Sequence, residues 1–310
     1  MAQNKENTNK PLLRLYVTGF FMGVADLIPG VSGGTVAFIS GIYEELLSSI
    51  KKVSGETLKL GLQFKIKEAI ASVPFRFLLP LFAGIFTAIL SLANLLGYLL
   101  ETYPSFVWSF FFGLVLASIW LVSKKIPAWK FSHMVAFVVT TIVGFVIVGA
   151  VPVETPEHLW VYFLSGMIAI CAMILPGISG SFILLILGKY NQVLDAVREM
   201  NILVLAAVSA GCVVGLAVFA RFLSWLFAKH HDISVAALTG FMLGSLRKIW
   251  PWQEVTLTRI NSHGEIVPLA TKNVLPEVLD LPTFAIIALM LFGIAVIIYI
   301  DRLDLVKEKK

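Results

Sequence analysis

Long uncharged runs broken by small clusters of Lys and Arg dominate this chain. A helix crossing a hydrocarbon core of ~30 Å needs about 20 apolar residues. Residues 77–100, 104–123, 131–151, 201–220 (running on to 228) and 282–300 meet that requirement. A shorter sixth run, 233–246, stops at Arg247-Lys248. Two further regions, 15–50 and 160–194, are apolar but interrupted, each by a Pro-Gly-x-Ser-Gly sequence near its middle. Residues 253–272 alternate weakly around Asn-Ser-His-Gly, which predicts a small external β-hairpin.

The interrupted regions are copies. A gapless shift of 147 residues gives ten identities in the 32 pairs from Tyr16 to Leu47, among them Pro29/Pro176, Gly30/Gly177, Ser32/Ser179, Gly33/Gly180, Gly41/Gly188 and Tyr43/Tyr190. Shared Leu or Ile would mean little in apolar sequence, but shared Pro, Gly, Ser and Tyr are hard to obtain by chance. A weaker echo relates Gly113, Leu116 and Ser118 to Gly240, Leu243 and Ser245. The expected fold is an all-α polytopic membrane protein with an inverted-topology duplication. Each half is a broken or re-entrant helical hairpin followed by three transmembrane helices. Residues 1–14 form a cytoplasmic tail, 15–151 the first repeat, 159–300 the inverted second repeat and 301–310 a second cytoplasmic tail.

Charge agrees with this arrangement. Three crossings per unit is an odd number, so the second copy is upside down. With the N-terminus inside, Lys51, Lys52, Lys59, Lys65 and Lys67 fall in a cytoplasmic loop, as do Lys124, Lys125 and Lys130. The link 151–158 carries Glu154 and Glu157 without Lys or Arg and falls outside, while Lys229, Lys307, Lys309 and Lys310 fall inside. This obeys the positive-inside rule; Lys189, Arg198 and the basic residues after Leu246 are exceptions. Composition reinforces the class: 58% of residues are hydrophobic, 14% are charged, and mean hydropathy is +0.89. The formal charge of +5 is therefore read as loop lysines and not as a nucleic-acid surface. The polar N-terminus shows no cleavable signal peptide. Cys171 and Cys212 read as small core residues, with no disulfide framework. His133, His158, His230, His231 and His263 read as solvated, with no metal spacing among them, and no cofactor is implied.

The chemistry concentrates at the interruptions, residues 26–35 and 175–181. Pro removes a helix hydrogen bond, the adjacent Gly permits a turn that other residues resist, and Ser32 and Ser179 are good N-caps for the segments that follow. Two half-helices meeting at a bare turn offer main-chain N–H groups, a positive helix end and hydroxyls. That set suits an oxyanion, phosphate above all. The candidate phosphate or headgroup residues are Gly30, Ser32, Gly33, Gly34 and Thr35 in one copy, and Gly177, Ser179, Gly180 and Ser181 in the other. The plain alternative is a kink that lets helices pack closely.

The sequences Gly19–Thr35, Gly41-Ile-Tyr-Glu44, Leu175–Ser181, Gly188-Lys-Tyr190 and Gly244–Pro251 resemble those of the polyprenyl-phosphate transporter family, long catalogued as a domain of unknown function. The resemblance spans nearly the whole chain. It implies a flippase of the bacterial cytoplasmic (inner) membrane that recycles undecaprenyl phosphate, the carrier lipid of cell-wall peptidoglycan synthesis, from the outer to the inner leaflet. The family carries Asn more often where this chain has Asp26. Undecaprenyl-pyrophosphate phosphatases share a Pro-Gly-x-Ser motif and inverted repeats, but their motif continues with Arg-Ser, here Gly-Gly in one copy and Gly-Ser in the other. A small-anion transporter would use the same paired turns.

Moving a phosphate inward works against a negative-inside potential, at ~2.3 kcal/mol per charge per 100 mV. A co-transported proton or cation, or a steep lipid gradient, is then required. Asp26, the one acidic residue in 15–43, is a candidate coupling site or else a partner of the turn. Glu44 is a second coupling candidate, or with Glu45 an interfacial helix end. Arg247 is the preferred side-chain ligand for phosphate, since its guanidinium is a fixed donor fork, with snorkelling beside Trp250 and Trp252 as the alternative. Arg221 favours snorkelling. Tyr43 and Tyr190 are matched auxiliary donors or interface residues.

Overall fold

The computed structural model describes residues 10–28, 30–153, 155–260, 266–276 and 278–308, leaving aside the side chains of 62, 259–260, 266–270, 300 and 303–308. Pro29, Glu154 and His263, the tail before Lys10, Lys309 and Lys310, and the Lys307 side chain lie outside the described residues.

Helix α1 (Leu12–Asp26) runs to the first interruption, and α2 (Gly33–Ile39) doubles back beside it. The return is visible in contacts between the two ends of this hairpin: Lys10 Nζ donates to Gly41 O at 3.0 Å and pairs with Glu45 at 3.2 Å. The second interruption repeats this, with α9 (Leu159–Ile174) followed by α10 (Gly180–Ile186). There Val153 N–H donates to Ile186 O at 2.9 Å, and Thr155 Oγ1 donates to Leu187 O at 2.7 Å. The backbone recurs at the 147-residue offset. Gly30 and Gly177 have φ of +89° and +100°, and Gly41 and Gly188 have φ of +67° and +68°. These left-handed angles are open to glycine and costly to other residues.

After the first hairpin come α3 (Tyr43–Lys52), a π-helical turn (Val53–Thr57), α4 (Leu58–Leu62) and α5 (Ile66–Ser72), then α6 (Phe75–Thr102), α7 (Pro104–Ser123) and α8 (Phe131–Val148). After the second come α11 (Tyr190–Arg198), α12 (Ile202–Ser245), a 3-10 turn (Leu246–Ile249), the antiparallel strands β1 (Gln253–Ile260) and β2 (Ile266–Asn273), and α13 (Leu281–Glu308). Helices α6, α7, α8, α12 with its following turn, and α13 are long and apolar enough to cross a membrane. Their outward side chains are apolar and bare, Leu90 being 84% exposed, which suits lipid and not water. The chain is a nearly all-α, multi-pass membrane protein. Half of the α7 span is buried, against 11–22% of the others, so α7 is the central helix.

Glycines set the closest helix pairs, because a Cβ would strike a facing carbonyl. Gly19 meets Leu81 O and Gly84 meets Tyr16 O, between α1 and α6; Gly166 meets Val208 O and Gly211 meets Phe163 O, between α9 and α12. Gly113 and Gly293 lock α7 to α13, and Gly240 and Gly244 lock α12 to α8. Such small-residue contacts drive association where lipid leaves no hydrophobic force between helices.

Within α12 the backbone leaves the helical region at His230, with φ −138° and ψ 56°, so the run 233–246 is a helix of its own, as its sequence pattern suggests. Tyr103, which joins α6 to α7, has nearly the same angles, −134° and 49°. Two features depart from the sequence pattern. The polar stretch 43–72 folds into short helices, held by Thr57 Oγ1 against Ser72 Oγ at 2.6 Å and by Arg221 donating to Ser54 O at 3.1 Å. His133 is 6% exposed and not solvated: it sits in the first turn of α8, where its Nδ1 accepts from Lys130 N–H at 3.3 Å. Both cysteines are free and only half-buried.

Candidate functional site

At the first bend, Leu27 still has helical angles, Gly30 turns the chain with its positive φ, and Ser32 is extended at φ −130°, ψ 138°. Ser32 Oγ accepts from Gly34 N–H at 3.1 Å, the N-cap expected of it. At the second bend Ser179 is likewise extended and accepts from Phe182 N–H at 3.3 Å. Ser181 Oγ lies 3.2 Å from Ser179 Oγ.

The two bends touch. Gly177 N–H donates to Thr35 Oγ1 at 2.9 Å, with Thr35 fully buried. Ser32 Oγ donates to Met173 O at 3.1 Å, and Tyr43 OH donates to Ile174 O at 3.2 Å. A Cβ on Gly34 would lie 2.6 Å from Ile174 O, so bare backbone is what lets the start of α2 approach the end of α9.

The bends are not equivalent. Shifted by 147, Asp26 falls on Met173. Asp26 Oδ1 accepts from Gly33 N–H at 2.7 Å, and Thr35 N–H donates to Ser32 O at 2.9 Å. With Gly34 held by Ser32, the first three N–H groups of α2 are engaged, and a carboxylate of the protein occupies the place of an anion. The expectation of two bare turns is corrected here. Gly180 and Ser181 N–H make no hydrogen bond among the described residues, so the open donors belong to the second bend.

The cations also divide. Arg247 NH1 donates to Phe145 O at 3.2 Å, and its guanidinium carbon stands 4.3 Å from the Phe145 ring centre, against the end of α8. Lys248 lies between the bends. A Cβ on Gly30 would lie 2.7 Å from Lys248 Cγ, and Lys248 Nζ is 4.8 Å from the centre of Phe182, the residue after Ser181. Among the described residues Lys248 has no carboxylate partner. Sequence reasoning passed over it because the guanidinium of its neighbour matches phosphate better.

The remaining candidates are dispersed. Arg221 holds the π-helical turn through Ser54 O. Tyr190 is half-buried at the start of α11, beside Lys189, which is fully buried and donates to Gln192 Oε1 at 2.7 Å and Thr155 O at 3.0 Å. Glu44 pairs with His231 at 3.1 Å and is 57% exposed. That pair lines a cavity of ≈ 680 Å³ together with Lys10, Lys125 and Tyr43. Tyr43, 2% exposed and packed edge-on against Phe38, stands between this cavity and the second bend.

Comparison with known proteins bears on the same region. Over 296 residues the chain is 42% identical to a polyprenyl-phosphate transporter of Vibrio cholerae, covering 94% of this chain and 96% of that one. Over 252 residues it is 32% identical to a polyprenyl-phosphate transporter of Staphylococcus aureus, covering 75% and 84%. No solved structure gives a significant match. Residues 22–267, which include both bends and Lys248, match the family described as VCA0040-like, undecaprenyl phosphate translocase-like, and the chain belongs to that family.

Proposed function

We propose that this protein moves a polyprenyl phosphate across the bilayer, inward from the outer leaflet, and that the two joined bends hold the phosphate. The observation that carries this is the contact between bends, with Gly177 N–H on Thr35 Oγ1 and the unused N–H groups of Gly180 and Ser181 beside it. Lys248 supplies the positive charge, and Ser179 and Ser181 supply hydroxyls. Irregular backbone at membrane depth persists where protein or water covers it, and the packed hairpins meet that condition. The relatives' names support a transported lipid and not a hydrolysed one, which sets the phosphatase alternative aside.

In this reading each hairpin is re-entrant, and three crossings follow it, so the second half is inverted. The chain lies in the cytoplasmic membrane with both termini inside. The cavity beside Tyr43 then opens to the cytoplasm, and Glu44 and His231 face solvent there. Asp26 is the coupling group. While ionised it caps α2 and repels phosphate; a proton taken from the outer side removes that charge and releases Gly33 N–H as the headgroup arrives.

Leaflet-resolved transport of a labelled polyprenyl phosphate in proteoliposomes tests this. Losing a charge-assisted hydrogen bond costs about 1.5–3 kcal/mol, so Lys248→Gln should slow transport roughly ten- to hundredfold, while Arg247→Gln should have a smaller effect. Asp26→Asn should transport without responding to an imposed pH gradient. Equal rates in protein-free liposomes would reject lipid transport, and full activity in both Lys248→Gln and Ser179→Ala would reject the site.

A further inference from the structure

The segment 51–76 departs from the rest of the molecule in charge and exposure. It holds six basic residues against two acidic ones, Glu56 and Glu68. Its outward apolar side chains are unpartnered: Phe64 is 88% exposed and Ile66 61%. Helix α5 joins the spanning helix α6 through Val73 and Pro74 alone, so this arm lies where the protein leaves the hydrocarbon. Apolar side chains and lysines together on such an element suit a lipid surface carrying negative charge.

Beside the arm, between α1, α3 and the start of α6, is a cleft of ≈ 330 Å³. Lys52 and Arg76 stand at its edge, and neither side chain has an ion-pair or hydrogen-bond partner among the described residues. Ser48 and Ser49 line it; Ser48 Oγ donates to Glu45 O at 2.9 Å, whereas the hydroxyl of Ser49, a buried residue, makes no hydrogen bond among the described residues. Leu15 and Phe77 give it an apolar floor. The acidic side chain in its wall, Glu45, is paired with Lys10 at 3.2 Å. Next to Arg76, Phe75 and Leu79 are 50% and 67% exposed, which opens this edge to lipid.

We infer that this cleft binds the headgroup of an anionic phospholipid from the leaflet on the N-terminal face. Lys52 and Arg76 engage the phosphate, the Ser49 hydroxyl donates to it, and the apolar floor receives the glycerol and upper acyl chain. The site stands apart from the bends and rests only on the chain's being a membrane protein, not on which lipid is transported.

Native mass spectrometry of the full-length protein in detergent, with phosphatidylglycerol or phosphatidylcholine added, tests it. Wild type should retain phosphatidylglycerol in preference to phosphatidylcholine. Lys52→Gln/Arg76→Gln should weaken phosphatidylglycerol binding roughly tenfold or more, at about 1 kcal/mol per basic residue, while Lys51→Gln/Lys67→Gln should retain at least half of it. Thermal unfolding in lipid-free detergent should be the same for wild type and both double variants, which excludes misfolding. Polyprenyl-phosphate transport by Lys52→Gln/Arg76→Gln in phosphatidylcholine vesicles should stay near wild type, which separates this site from the transport site. Equal retention of the two phospholipids by wild type, unchanged phosphatidylglycerol binding in Lys52→Gln/Arg76→Gln, or loss of transport with phosphatidylglycerol binding intact would each overturn the inference.

Discussion

Gly41 and Gly177 share a left-handed backbone, but not surroundings. Nothing lies within 4 Å of a Cβ built on Gly41, whereas one on Gly177 would strike the Ser245 side chain and lie 3.3 Å from Met242 Cα. Gly41→Ala should therefore cost only the conformational term, about 1–2 kcal/mol. Gly177→Ala should add about 1–3 kcal/mol of overpacking, so its thermal transition in the same detergent should fall further. Equal transitions would contradict the close approach of α12 to the second bend. Glycine and the N-capping serines were legible in the sequence because their rules are local. Lys248 was not. Which of two adjacent cations faces the bends depends on the phase of the 3-10 turn, and that turn is tied down from the β-hairpin by Asn273 Nδ2 on Arg247 O at 2.8 Å and Gln253 Nε2 on Lys248 O at 2.9 Å. The Asp26 cap was legible as the alternative reading of that carboxylate, a partner of the turn, and it closes where α2 folds back beside α1.

Among elements, the two hairpins form a pair through few polar contacts, and Gly177 N–H to Thr35 Oγ1 is the most buried of them. Thr35→Val keeps the shape but leaves that N–H without a partner, which costs about 1–3 kcal/mol. The variant should unfold at lower temperature and lose transport, and Thr35→Ser should recover most of both; failure of Ser to recover either would assign the effect to packing. The spanning helices and the β-hairpin were readable from run length and alternation. Helices α3 to α5 were not, because they are short and polar and take their shape from side chains far along the chain, such as Arg221 on Ser54 O. The end of one spanning segment at Ala228 and the start of the next at Ile233 were also seen, and the backbone breaks between them at His230.

At the scale of the molecule, α12 touches both halves of the candidate site. Its arm before His230 packs on α9, which leads into the second bend; its arm after His230 packs on α8 and carries Lys248 to the first bend. One residue joins these arms. A joint that short leaves little slack, so a rotation of α9 that turns the first arm should swing the second, in the manner of a bell crank, and shift the lysine against Gly30. The length of the connection, and not the imidazole of His230, is then the property to test. His230→Ala should leave transport within about twofold, whereas three glycines inserted after His230 should leave helix content by circular dichroism unchanged and stop the lipid from crossing.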